Sequence, residues 1–254
     1  MYIIHCRTDA HKILAVTFHK LFIVLLVFLS HFASQAQKPE EFDIANSSLF
    51  YPRIPKLHKV KAAIMVLKYK FPEPWLEGAY HVPFFNIRSA MGLSRNLSAQ
   101  MSLGTVLLSN QFSLGLYWHH RVARKFDFSV GYEAAGVFGR FKQAGFNSTM
   151  VGVIHYPGLS WGYRYKDIAF TLRGQVSFVG RVHVLVGESS ISDDTNFYNG
   201  FNIGLYMEQR LWKNHVFVMG LSNHYTKFSY IAWPAFSSFN RFYNIPEISI
   251  GLVL

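Results

Sequence analysis

Cysteine is almost absent from this chain, since Cys6 is the only one among 254 residues. It lies in an N-terminal segment that we expect to be removed on export, which leaves a mature chain without thiols. Such a chain holds no disulfide and no thiolate metal site. Charged residues are scarce as well, at 15% against about 25% in ordinary soluble domains. That scarcity suits a protein with few positions facing water.

Motifs for cofactors and metals are missing too. The chain has no P-loop, no dinucleotide-binding fingerprint and no H-E-x-x-H. His119 and His120 are neighbours on a predicted strand, so they point to opposite faces and cannot chelate one ion together. We therefore predict no metal and no cofactor, and we place these two histidines at a membrane interface.

The charge balance is basic, with 25 Lys and Arg against 14 Asp and Glu and a net charge of +11. Residues 1–36 hold three of the basic residues and one acidic residue, so 22 and 13 remain beyond them and the net charge there is +9. No basic helix, zinc-finger spacing or RNA-binding motif supports a nucleic-acid partner. Anionic lipid head groups are the expected partner of an exported basic protein.

The N-terminus has the features of a secretory signal. Arg7, Lys12 and Lys20 precede an apolar run of twelve residues at 21–32, and Ser34-Gln35-Ala36 forms a small-x-small cleavage site. The run is shorter than the roughly 20 residues of a membrane-spanning helix, although an uncleaved anchor is the alternative. We predict a signal over 1–36, a periplasmic extension over 37–60 and one domain over 61–254. The extension is polar and rich in proline, which predicts an extended lead-in.

Residues 126–135 (FDFSVGYEAA) show the pattern on which the fold prediction depends. Phe126, Phe128 and Val130 alternate with Asp127 and Ser129, which is the period of a β-strand. A soluble sandwich and a transmembrane barrel both use such strands. We predict ten of them, at 61–69, 84–94, 97–108, 111–120, 126–138, 149–165, 168–184, 201–212, 215–230 and 245–254. A bulge or bend is expected at His155-Tyr156-Pro157, because proline cannot donate to a strand ladder.

The connections between these strands alternate in length. Four are tight and charged, at 94–96, 121–125, 166–167 and 213–214. The others are mostly long, at 70–83, 139–148, 187–200 and 231–244, with 109–110 as the one short exception. Short periplasmic turns and longer outer loops are typical of an outer-membrane barrel. Trp118, Trp161 and Trp212 lie near the tight turns, while Trp75 and Trp233 lie in the long connections, which indicates two aromatic belts.

With its signal, alternating strands and loop asymmetry, the chain resembles the outer-membrane β-barrel proteins of Gram-negative bacteria. The resemblance implies an all-β, antiparallel up-and-down barrel of ten strands, with eight as the alternative, located in the cell outer membrane. Outer-membrane lipid, lipopolysaccharide and the barrel assembly machinery are the implied partners, and the oligomeric state stays open. The C-terminal Leu254 departs from the aromatic residue with which such proteins usually end.

A local resemblance to the outer-membrane lipid A 3-O-deacylases implies a possible catalytic set. Those barrels carry His-x-Ser on one strand and Glu on the next, and here His224, Thr226 and Glu247 hold matching positions. A hydroxyl nucleophile needs a histidine base, which a carboxylate orients. Thr226 replaces the family's serine, and His224 is predicted to face the lumen. The alternative is a set of lumen side chains that are simply hydrogen-bonded.

Two further groups of charged residues are predicted from strand parity and loop position. A lumen network of Arg–carboxylate bridges closes the barrel to solutes, because unpaired buried charges are costly; it comprises Arg88, Asp127, Glu133, Arg164, Arg173, Glu208 and Arg210, with Glu247 on the same face. Lipopolysaccharide phosphates are expected to contact Arg140, Lys142, Lys227 and Arg241. The leading hypothesis is a non-enzymatic barrel with a structural, adhesive or narrow-conduit role. A lipid A hydrolase and a secreted soluble β-protein are the alternatives.

Overall fold

Most of the described chain is β-strand. The computed structural model describes residues 42–71, 81–106, 108–143, 146–187, 189–212, 215–235 and 241–254. The strands are β1 (Val60–Lys70), β2 (His81–Gly92), β3 (Leu97–Thr105), β4 (Ser109–Ala123), β5 (Phe126–Gln143), β6 (Phe146–Tyr165), β7 (Ile168–Val186), β8 (Ser189–Arg210), β9 (Val216–Thr226) and β10 (Tyr243–Val253). Helix α1 (Ile44–Ser47) precedes β1, and a 3-10 helix, η1 (Tyr230–Ala235), lies between β9 and β10. No helix within these residues is long and apolar enough to cross a membrane.

The ten strands close into one antiparallel barrel. Each strand pairs with its neighbours in chain order, and β1 pairs with β10 to complete the circuit. The closing register sets Ala63 opposite Val253 and Tyr69 opposite Glu247. The predicted fold class and strand number are therefore confirmed, and the eight-strand alternative is wrong.

The alternation in β5 sorts its side chains between the two faces of the wall. Asp127, Ser129 and Glu133 are buried inside the barrel, at 2%, 2% and 6% exposure, whereas Val130 and Tyr132 are 45% and 49% exposed on the outside. The predicted facing of this strand is confirmed. Strand periodicity alone is enough to separate a polar lumen from an apolar exterior.

The outside of the barrel is covered by large apolar side chains from every part of the wall. Leu114 on β4, Leu172 on β7 and Ile248 on β10 are 54%, 51% and 51% exposed. Monomeric soluble proteins do not expose a continuous apolar surface of this extent, and in a bilayer such a band is the lipid-contacting surface. The protein is an outer-membrane β-barrel, and the secreted soluble alternative is wrong.

Four adjacent strands, β5 to β8, are much longer than the rest. They have 18, 20, 19 and 22 residues, whereas about 9–11 residues are enough to cross a membrane. The extra residues continue the sheet on the outer side, where Arg140 pairs with Thr149 and Arg181 pairs with Thr195. We call this part of β5–β8 the tall wall. Most of the loops predicted at 139–148 and 187–200 are therefore strand, because their backbone groups pair with each other across the two hairpins.

The predicted interruption near His155 takes the form of a local change in strand pairing. The β6–β7 register shifts by one residue between Val153 and Ile154, and the pairing skips Tyr156 and Pro157. The ladder from β6 to β5 continues unbroken through this region. Proline thus weakens only the side of the strand on which its missing N–H would be needed.

Only part of the predicted aromatic sorting is found. Trp118 and Trp161 are each 45% exposed on the outer face near the short turns, as a periplasmic belt requires. Trp233, predicted for the opposite belt, is instead 2% exposed and packs inside the barrel, because η1 folds back from the β9–β10 connection. Trp75 lies outside the described residues.

The segment that precedes β1 lies inside the periplasmic end of the barrel. Asp43 caps α1 by accepting a hydrogen bond from the Ala45 N–H at 3.1 Å, and Leu49, Phe50 and Tyr51 are 6%, 8% and 1% exposed. The sequence predicted an extended periplasmic lead-in at 37–60, of which residues 37–41 lie outside the described part. Residues 43–55, called the N-terminal plug below, fill the lumen instead because their apolar side chains have a shielded surface there.

Candidate functional site

Glu208, on β8, anchors the N-terminal plug to the barrel wall. One carboxylate oxygen accepts hydrogen bonds from the N–H groups of Leu49 and Phe50 at 2.6 and 3.1 Å, and the other accepts one from the Tyr51 N–H at 2.9 Å. Glu208 is fully buried, so these bonds replace the water that a carboxylate otherwise requires. The sequence placed Glu208 in an Arg–carboxylate network, and the structure places it against backbone N–H groups of the plug.

Ion pairs fix the same segment at its rim. Arg53 Nη2 lies 2.8 Å from Asp127 Oδ2, and Arg164 Nη1 lies 2.7 Å from Asp43 Oδ1. Arg121 also approaches Asp127, at 3.7 Å. Tyr51 is shielded beside Asp127, and this burial is the main cause that raises the pKa of its hydroxyl. The lumen charges predicted on β5 and β6 therefore bind partners from the N-terminal plug as well as from the wall.

A second cluster surrounds Glu133 at mid-lumen. Its Oε2 accepts hydrogen bonds from Arg173 Nη2 at 3.1 Å and from the Tyr117 hydroxyl at 2.9 Å, and Ser113 donates to Oε1. Arg88 Nη2 lies 4.0 Å from Oε1. The structure thus brings together three predicted residues, Arg88, Glu133 and Arg173, in a bridge between β2, β5 and β7.

The outer end of the lumen is filled by η1. Trp233 and Tyr230 are 2% and 8% exposed, and the Tyr230 ring lies 6.3 Å from that of Phe84 on β2. Gly139 leaves room for Trp233, because a Cβ at that glycine would overlap the indole Nε1. The turn into η1 is held by Asn199, whose amide exchanges two hydrogen bonds with the backbone of Phe228 at 2.7 and 3.1 Å.

A cavity of about 140 Å³ remains between the N-terminal plug and η1. Phe50 of the plug and Tyr230 of η1 line its two ends, and Arg88, Glu133 and His224 lie on its wall. The space is large enough for several water molecules, and its polar lining can hydrogen-bond them. A small polar chamber thus lies between the N-terminal plug and η1.

The predicted catalytic residues lie along this chamber. His224 Nε2 is 2.9 Å from Glu247 Oε2, which is the contact expected between a base and the carboxylate that orients it. The Thr226 hydroxyl, however, donates to the carbonyl of Phe228 at 2.8 Å. Two of the three residues thus form a hydrogen-bonded pair, and the third holds the turn into η1.

The remaining predicted residues lie apart from this chamber. Arg140 and Lys142 are exposed on the tall wall, Arg241 is exposed beside β10, and Lys227 is half-buried with its ammonium 4.9 Å from the Phe242 ring. Arg210 lies at the periplasmic end of β8. His119 is buried in the lumen and hydrogen-bonded to Ser98 at 2.7 Å, while His120 is exposed outside. No group of metal-binding side chains is found among the described residues.

Several contributors to the lumen were not predicted from the sequence. Asp43 and Arg53 lie in a stretch without periodicity, so nothing marks them as lumen residues. Tyr117 and Tyr206 have the inward parity of their strands, and Phe50 stacks on Tyr206 with 4.2 Å between ring centroids. Strand parity was therefore the one signal that could have revealed the two tyrosines.

Neither protein-family models nor curated proteins match this sequence. Several solved structures are similar to this chain. The translocator domain of the autotransporter NalP from Neisseria meningitidis is 10% identical, with 94% of this chain and 96% of that chain covered and a TM-score of 0.35. Outer membrane phospholipase A from Escherichia coli is 11% identical, covering 89% and 96%, with a TM-score of 0.39. The outer membrane protease OmpT from Escherichia coli is 10% identical, covering 76% and 93%, with a TM-score of 0.38. Likeness at this level says nothing of what the present chain does.

Proposed function

We propose that this protein is a non-conducting outer-membrane barrel with a structural or adhesive role that it exercises through its outer surface. The observation that carries the proposal is the filling of the lumen from both ends by the chain itself. Glu208 holds the N-terminal plug at the periplasmic end, and buried Trp233 lies at the outer end. The bridge between Arg173 and Glu133 crosses the space between them. A permanent pore for solutes does not fit such an interior.

The tall wall supports the second half of the proposal. It continues the sheet past the length needed to cross a bilayer and presents Arg140, Lys142 and Arg181 outside. Arg140 and Lys142 are suited to bind lipopolysaccharide phosphates, because guanidinium and ammonium groups pair with oxyanions. We therefore expect the tall wall to make the protein's contacts with the cell's own outer leaflet or with an external surface.

Recording from the purified protein in planar lipid bilayers tests the closed lumen. We expect no stable channel activity from the parent protein. Arg181→Ala is the matched control, because the exposed pair of Arg181 and Asp193 lies outside the lumen. We expect no channel activity from this variant either. Large, stable, porin-like conductance from the parent would disprove the proposal and favour transport.

A lipid A-modifying hydrolase is the second candidate, and the His224–Glu247 contact of 2.9 Å is the observation in its favour. The hydroxyl of Thr226 is bonded to Phe228 rather than to His224, and the pair faces the inner chamber. Mass spectrometry of lipid A from cells that overproduce the protein tests the hydrolase. A hydrolase produces a mass loss that disappears in His224→Ala, and an unchanged spectrum with the parent removes this candidate.

A further inference from the structure

A polar pair lies on the lipid-facing side of the barrel, where the surrounding surface is apolar. The Tyr132 hydroxyl and His155 Nδ1 are 2.5 Å apart, on β5 and β6, and their rings are nearly parallel with centroids 5.9 Å apart. Tyr132 is 49% exposed, and its outward neighbours Val130 and Leu159 are 45% and 50% exposed. An ionisable side chain on the lipid face is costly unless it has a partner, so its presence indicates a function.

The pair lies deep within the apolar band. The rings of Phe128 and Trp161 make contact at 5.7 Å between centroids and mark the periplasmic belt. Tyr132 lies four residues further along β5, which is about 13 Å along the strand and roughly 10 Å along the barrel axis at the usual tilt. Since the band is about 25 Å tall, the pair lies near its middle, beyond the reach of water and lipid head groups.

Small residues surround the pair on the same face. A Cβ at Gly136 or at Gly174 would meet no atom within 4 Å, so the wall is recessed at both positions. The imidazole lies along the sheet over Gly180, where a Cβ would be 2.7 Å from Nε2. Glycines of this kind let another backbone approach closely in a membrane. The recess is continuous with the tall wall, because both belong to β5–β7.

The hydrogen-bonding capacity of the pair is only partly used. Tyr132 and a neutral His155 carry one O–H and one N–H, and the bond between them uses one of these two donors. Among the described residues the structure gives the pair no other hydrogen bond. One donor and at least one acceptor are left facing hydrocarbon, where lipid tails offer no partner and each unmet polar group costs free energy.

We propose that this face of β5–β7 is the interface through which two copies of the chain dimerise in the membrane. A two-fold axis beside the pair sets the free donor of one copy against the free acceptor of the other, twice, so that both copies are satisfied. Such self-complementarity is what an interface between identical surfaces requires. The recess at Gly136 and Gly174 brings the two walls within hydrogen-bonding distance.

Cysteine cross-linking tests the dimer, because Cys6 is the only native cysteine and is expected to leave with the signal, while Cys6→Ser removes it from any uncleaved chain. In that background, Gly136→Cys adds an outward thiol on the proposed interface, and Ile250→Cys adds one on β10, on the opposite wall. We expect a cross-linked species of twice the mass from Gly136→Cys in native membranes and in lipid nanodiscs, and only monomer from Ile250→Cys. Equal cross-linking of the two variants would show random collision and overturn the proposal, as would adducts of Gly136→Cys with a different protein only.

The polar pair is tested separately from the recess. Adding His155→Leu to the Gly136→Cys chain should lower the cross-linked fraction roughly tenfold, since both hydrogen bonds between the two copies are lost. Tyr132→Phe should act in the same direction. The mobility difference between unboiled and boiled samples shows whether each variant still folds. A folded His155→Leu variant that cross-links as well as its parent would contradict the role of the pair.

Discussion

At the scale of single residues, Glu208 has the most consequential set of contacts. Its three N–H partners are consecutive in the plug, at Leu49, Phe50 and Tyr51, so one side chain fixes the backbone of a whole turn. Hydrogen bonds to a charged group contribute about 1.5–3 kcal/mol each, which is enough for this carboxylate to decide whether the N-terminal plug stays in the lumen.

Glu208→Gln should loosen the plug without unfolding the barrel, because the amide keeps a single oxygen as acceptor and loses the charge. The measurement is the rate of thiol labelling at Ser48→Cys, a buried position of the plug, in the Cys6→Ser background. We expect labelling at least roughly tenfold faster than with Glu208 intact, since two weakened bonds exceed 1.4 kcal/mol. Glu247→Gln, which lies by His224, serves as control and should leave the rate unchanged.

Leu114 tests the lipid-facing side of the wall. It is 54% exposed on β4, so Leu114→Arg places a cation in the apolar band at a cost of about 2–4 kcal/mol. We expect a lower yield of heat-modifiable protein in the outer membrane, whereas Leu114→Phe should assemble normally. Normal assembly of Leu114→Arg would mean that this face does not meet lipid.

At the scale of elements, our proposal makes the plug and η1 two closures in series. The two are separated by the chamber of about 140 Å³, and we expect each one alone to obstruct the lumen. Glu208→Ala should release the plug, and Trp233→Ala should remove the side chain that fills the space beside Gly139. In bilayer recordings we therefore expect no channel activity from either single variant and stable conductance from the double variant. Conductance from one single variant would show that the other element does not seal.

The elements also show what the sequence could and could not reveal. Alternation located all ten strands, because each has one face on lipid and one on a polar lumen. It did not reveal that residues 189–200 belong to β8, since Ser189, Asp193 and Asn196 lie in a polar stretch typical of loops. These residues are strand despite their polar composition, because their backbone groups pair with those of β7. The plug was missed for a related reason, because Leu49, Phe50 and Tyr51 form no periodic pattern and their main acceptor is 157 residues or more away.

At the scale of the whole molecule, barrel closure predicts how the protein behaves in detergent. The closed sheet has no edge strand and therefore resists unfolding. An unboiled sample should migrate faster than a boiled one on a detergent gel. The mature chain should begin near Gln37 and fractionate with outer membranes. Recovery as a soluble protein, or identical migration with and without boiling, would contradict the barrel.

Because the strands differ in length, the barrel wall is higher on one side of the molecule than on the other. β5–β8 exceed β1–β3 by about nine residues on average, which amounts to roughly 20–25 Å of extra height at the usual strand tilt. The rim formed by the ends of the described strands is therefore higher on the side of β5–β8 than on the side of β1–β3. A neighbouring molecule in the membrane meets a taller strand wall on the β5–β8 side than on the β1–β3 side. Its contacts with the protein therefore depend on the side from which it approaches.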